Sequence, residues 1–140
     1  MKTWLDANAL VAVILGEPAM RQVLGLIREG DAAMTAVNII EVYDVASRRE
    51  GISSRRVREV VEPLFESAIE PRPVDADLAR RAADIRVEHY RRKTRPLSLA
   101  DVTLLAAAQS RDRVATSDAD VLAVAAELGI ETIELPPSSG

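Results

Sequence analysis

Four acids in this chain could do chemistry together: Asp6, Glu41, Asp101 and Asp118. Asp6 interrupts an apolar run, TWLDANALVAVIL, at the junction of a short buried strand and a helix that is apolar nearly all round. A lone carboxylate there costs several kcal/mol unless it caps the helix, pairs with a cation or binds a metal. Capping is the simplest account of each acid alone. Asp is a favoured N-cap, Ser98 and Asp101 spell an S-x-x-D capping box, and Asn38 and Glu41 form an N-x-x-E analogue. Four such acids at equivalent junctions ask for more. Carboxylates that converge repel one another, and a hard divalent cation removes that repulsion. An all-oxygen donor set without His or Cys suits Mg2+ or Mn2+. Such ions activate water, align it with a phosphodiester and stabilise the departing oxygen.

The elements that must position these acids follow from the hydrophobic pattern. Residues 2–5 read as a strand and 7–15 as a central helix; Met20, Val23, Leu24 and Ile27 mark an amphipathic second helix ending near Gly30. Ala32–Thr35 is a weak strand, and a helix from about Asn38 runs out at Arg49 and Gly51. Ser53 or Ser54 caps a helix with Val57, Val61 and Phe65 on one face, which Pro63 is expected to bend or shorten. AIEPRPV, with two prolines, fits only an edge strand or a connector. A long helix follows from Asp75 and Asp77, then the basic loop RRKTRP, the helix LADVTLLAAAQ, the strand VAT, a helix closed by Gly129, and a last strand at 130–135. The tail 136–140, PPSSG, reads as disordered. Alternating strands and helices imply one α/β domain over 1–135, a three-layer α/β/α sandwich on a mainly parallel sheet. Ligands of such sheets sit at the carboxyl ends of the strands, where all four acids fall.

Composition narrows the field. The chain is 48% hydrophobic but 3% aromatic, so its core is aliphatic and Ala-rich. It has no cysteine, which excludes disulfides, thiolate zinc sites and a cysteine nucleophile. No apolar stretch reaches a membrane span and no signal peptide opens the chain, so the expected location is the cytoplasm. A net charge of -4 argues against a nucleic-acid coat protein. With one histidine, His89, on an apolar stripe, two-histidine ribonuclease chemistry is excluded. The glycines form no P-loop and no G-x-G-x-x-G, and no G-x-S-x-G elbow is present.

LDANALVAVILGEP, TAVNIIEV, LSLADVTLLAAA and VATSDADV, in this order and spacing, resemble the sequence blocks of PIN-domain nucleases, and specifically of VapC-type toxins of type II toxin-antitoxin systems. The resemblance implies a metal-dependent endoribonuclease that hydrolyses RNA and is inhibited by a cognate VapB-type antitoxin. It further implies that Asp6, Glu41, Asp101 and Asp118 bind Mg2+ or Mn2+ and carry catalysis, with Asn38, Ser98 and Thr116 orienting them. Asp120 matches an auxiliary position, although S-x-x-D makes it a cap as well. Asn8 stands where a hydroxyl residue is frequent. The family pattern also implies a homodimer, an antitoxin groove near the helix at 53–65, and RRKTR near the mouth of the crevice. Two alternatives remain: a non-catalytic PIN-like RNA-binding or scaffold protein, and a small Mg2+-dependent phosphatase, though no D-x-D-x-T follows Asp6.

Overall fold

Alternating apolar character along three short strands sets the layers of the molecule. The structure, a computed structural model, describes residues 1–138. Its strands are β1 (Thr3–Leu5), β2 (Ala32–Thr35), β3 (Ile69–Arg72), β4 (Arg113–Thr116) and β5 (Glu131–Glu134). They form one sheet in the order β3-β2-β1-β4-β5, with every neighbouring pair parallel. Trp4 is in register with Ala33 and Val114, and these three pack on one face with Leu78, Leu104, Leu105 and Val124. Leu5, Ala32, Met34 and Ala115 point to the other face, against Leu10, Val23, Val57 and Val61. Successive strand residues face opposite ways, so a sheet apolar on both sides must be covered on both.

The first face is covered by α5 (Ala76–His89), α6 (Leu99–Ala107) and α7 (Ala119–Glu127). The second is covered by α1 (Ala7–Leu15), α2 (Met20–Glu29) and α4 (Ser54–Ser67). Between them α3 (Ala36–Tyr43) touches both α1 and α6. The α/β/α sandwich read from the sequence is therefore the fold observed, and the Pro71-containing strand β3 lies at an edge of the sheet. No described helix is long and apolar enough to cross a membrane. Pro136, Pro137 and Ser138 lie outside helices and strands, and residues 139–140 of the tail fall outside the described residues.

Asp112 ties the start of the sheet together. Its carboxylate accepts from the backbone N–H groups of Lys2 (2.8 Å) and Gln109 (2.8 Å) and from the Trp4 indole (3.0 Å). Burial alone would raise its pKa, but these donors outweigh burial and hold it below the ordinary carboxylate value.

Three local expectations are corrected. The helix carrying Glu41 starts at Ala36 and is capped by Thr35, whose hydroxyl accepts from Asn38 N–H at 3.2 Å. Asn38 is thus no N-cap, and the N-x-x-E analogue does not form. That helix also changes winding: Asp44–Arg49 is a π-helical turn. Finally, α4 runs four residues past Pro63. Pro63 and Glu59 are both exposed, so the lost i to i−4 hydrogen bond falls on the outer side of the helix.

Candidate carboxylate site

Three of the four acids are held by the junctions they belong to. Asp6 follows β1 and caps α1, accepting from Ala9 N–H at 2.9 Å through Oδ1. Its Oδ2 accepts from the Thr116 hydroxyl at 2.6 Å. The same Thr116 oxygen accepts from Asp118 N–H at 3.0 Å, so one side chain at the end of β4 fixes the acids of two neighbouring strands. Asp118, separated from β4 by Ser117, caps α7 by accepting from the N–H groups of Asp120 (2.8 Å) and Val121 (3.0 Å) through Oδ1. Asp120 is therefore a first-turn acid of α7 and not its cap. Asp101 completes a reciprocal capping box: Ser98 N–H donates to Asp101 Oδ2 at 2.9 Å, and Asp101 N–H donates to Ser98 Oγ at 3.0 Å.

Glu41 stands apart from this pattern. It lies in the second turn of α3, and among the described residues its carboxylate has no hydrogen-bond or ion-pair partner. Asn38, expected to orient an acid, instead accepts from the Thr35 hydroxyl. Thr35 itself is a buried polar residue of the site region that the sequence reading left as the end of a strand. Its signal was present as a Thr three residues before Asn38, a capping spacing.

The acids act on one another electrically. Asp6, only 7% exposed, has its pKa pushed up to about 6, first by burial and then by the charges of Asp101 and Asp118, against the pull of Thr116 and Ala9 N–H. Glu41 is pushed up to about 7, by burial and then by Asp101, Asp6, Asp44 and Asp118. Asp101 is raised by burial in spite of the Ser98 N–H, and further by Asp118 and Asp120. Carboxylates brought in from β1, α3, α6 and α7 therefore share one electrostatic environment at the carboxyl ends of β1 and β4. Among the described residues, however, no three His, Cys, Asp or Glu side chains stand at metal-ligating spacing. The acids feel each other's charge without closing into a cage.

Two other sequence features find structural roles elsewhere. His89, at the end of α5, is buried with Nδ1 3.0 Å from Glu127. In the RRKTR loop, Arg91 and Arg95 pair across a short hairpin. Arg95 also binds Glu127 (2.9 Å) in the last turn of α7, the end of that helix away from Asp118.

Comparison with known proteins agrees with this architecture. A chain of DNA-bound VapBC from Salmonella typhimurium superposes with a TM-score of 0.70 at 23% identity, covering 96% of this chain and 98% of that one. VapC20 of Mycobacterium tuberculosis, a toxin that cleaves the sarcin-ricin loop, gives a TM-score of 0.70 at 19% identity over 97% of this chain and 100% of its own. FitAcB from Neisseria gonorrhoeae gives 0.63 at 21% identity, with coverage of 94% and 96%. These likenesses speak for the fold. No curated protein matches the sequence. The profile of the PIN domain matches residues 4–131, nearly the whole chain, and on that match the chain belongs to the PIN-domain family.

Proposed function

We propose that this protein is a Mg2+- or Mn2+-dependent endoribonuclease, the toxin of a type II toxin-antitoxin pair. PIN domains are typically nucleases, and such nucleases generally use a divalent metal. The observation that carries the reading is the shared field of Asp6, Glu41 and Asp101, which disfavours ionisation of each at the edge where parallel sheets bind ligands.

The donor set fits a hard dication. Every candidate ligand is a carboxylate, and neither Asp101 Oδ1 nor Asp118 Oδ2 accepts a hydrogen bond among the described residues. Glu41, unpartnered and on a flexible stem, is free to swing towards its neighbours. Asp6, Glu41, Asp101 and Asp118 are the residues that would hold the ion. When bound, it would supply charge neutralisation and activation of water for attack on a phosphodiester. The protein's own part is positioning. Thr116 fixes Asp6 and the Asp118 backbone, the Ser98 box fixes Asp101, and the N-termini of α1, α6 and α7 lend positive dipole ends to the same edge.

Inhibition by a VapB-type antitoxin and homodimerisation belong to the same reading. The antitoxin is supported by the likeness to a chain of the VapBC complex, itself solved on DNA; homodimerisation rests on the sequence resemblance. Expression without the antitoxin, followed by mapping of RNA 5′ ends, tests the proposal. Cleavage by the wild type, absent with Asp101→Asn and in chelator, is expected; equal cleavage by that variant would refute the assignment.

A further inference from the structure

A cleft of about 430 Å³ opens between α1 and the turn that follows α3, and the proposed reaction leaves it unexplained. One wall is a stripe of α1, Asn8, Val11 and Leu15, spaced by three and four residues. The other is the π-helical turn after α3, contributing Val45, Arg49 and Glu50, and Glu17 and Ser138 complete the lining. Both walls continue from the carboxylates: Asn8 is two residues beyond Asp6, and Glu41, Val45 and Arg49 follow one another at intervals of four. From Asn8 to Leu15 the helix rises about 10 Å, enough to seat one nucleotide beside a phosphate held at the acids.

The lining has the chemistry of a nucleotide slot. The lining is mainly polar, with the half-buried Leu15 and Val45 as the apolar contacts for the face of a base, and the volume lies within the roughly 300–1,000 Å³ of ligand pockets. Asn8 is exposed, and its carboxamide, which both donates and accepts, has no partner among the described residues. Arg49 is exposed, forms no ion pair among the described residues and is suited to a phosphate. Glu50 only accepts hydrogen bonds and so favours a base edge rich in N–H groups. The unusual winding matters here, because a π-helical turn brings Val45, Arg49 and Glu50 to one rim where an α-helix would turn Glu50 away.

We infer that this cleft binds the nucleotide next to the scissile phosphate of a single-stranded RNA, preferring an amino-bearing base to uracil, with Arg49 on the backbone and Asn8 and Glu50 on the base edge. The inference rests on the nuclease reading for the chemistry, but not for the binding. The test is fluorescence anisotropy with labelled oligo(A), oligo(C) and oligo(U) ribonucleotides on the full chain carrying Asp101→Asn, so that nothing is cut. Adding Arg49→Ala should weaken binding at least fivefold and lower the salt slope by about 0.7. Adding Glu50→Gln should erase the preference over oligo(U), Asn8→Ala should weaken binding of all three oligonucleotides, and Val45→Trp should block the slot. In chains with Asp101 intact, 5′-end mapping should show the base preference beside the cut relaxed by Glu50→Gln.

If Val45→Trp fails to fold, Arg49→Ala, a surface change, still decides. Oligonucleotide binding that follows Arg49 and Asn8 while the wild type cuts no RNA would support the cleft and sink the nuclease reading. RNA cut with unchanged site preference, together with binding indifferent to both substitutions, would sink the cleft and leave the nuclease standing. Capture of a basic peptide in the cleft with no RNA affinity would also overturn the inference.

Discussion

Replacing Asp6 by Asn should stabilise the metal-free protein and destabilise the metal-loaded one relative to wild type. With its pKa at about 6 rather than the ordinary 3.8, the ionised carboxylate is disfavoured in the fold by about 3 kcal/mol at pH 7. Asn keeps a carbonyl for the Ala9 N–H and turns an amide donor to Thr116 Oγ1. It gives up about 0.3–1 kcal/mol of helix-dipole attraction. The hydrogen bonds from Thr116 and Ala9 to the charged form are already contained in that pKa. The net gain is about 2 kcal/mol, a rise in Tm of about 6 °C for a chain of this size. Metal reverses the order, because a ligand at a hundred times its Kd stabilises wild type by about 2.7 kcal/mol and the variant has lost a ligating charge. Differential scanning calorimetry in chelator and in excess Mg2+ gives both comparisons. A variant that melts below wild type in chelator, yet rises equally with Mg2+, would refute the shared-field argument.

Further expectations follow from the same contacts. Because Asp6 and Glu41 have folded pKa values above their unfolded ones, the folded chain binds more protons between about pH 4 and 7, so metal-free stability should fall as pH rises through that window. Denaturant midpoints at intervals across the window check the sign; a midpoint that rises would contradict it. Thr116→Val removes the donor to Asp6 and the acceptor for Asp118 N–H, and should lower activity about 10–100-fold without unfolding the protein; steady-state kinetics beside circular dichroism would tell. Asp112→Asn puts an amide donor among three donors and should cost about 2–4 kcal/mol in urea titrations. Its pKa is depressed in the fold, so the wild-type benefit is present above about pH 4 and is lost as pH falls further.

Several features could be read from the linear chain because their causes are local or periodic. Strand-helix alternation called for a parallel sheet with both faces covered; the capping box at Ser98 and the N-cap at Asp75 formed as spelled, and β3, with Pro71 inside it and Pro73 just after it, lies at the edge. The positions of Asp6, Asp101 and Asp118 at strand ends and helix starts were visible too, whereas Glu41 lies a turn further into its helix than its spacing suggested, and the role of the four as a metal-binding catalytic set is a proposal. What the chain alone withheld depended on neighbours distant in sequence. Pro63 did not shorten α4, and its exposed position on the helix is a fact of burial. The π-helical turn at Asp44–Arg49, and the cleft it shapes with α1, arose from packing that no residue spacing announces. Thr116, ordinary at the end of a strand, joins Asp6 to Asp118 only because β4 lies beside β1. Local preference chose the elements, and long-range contact decided which carboxylates would feel each other's charge.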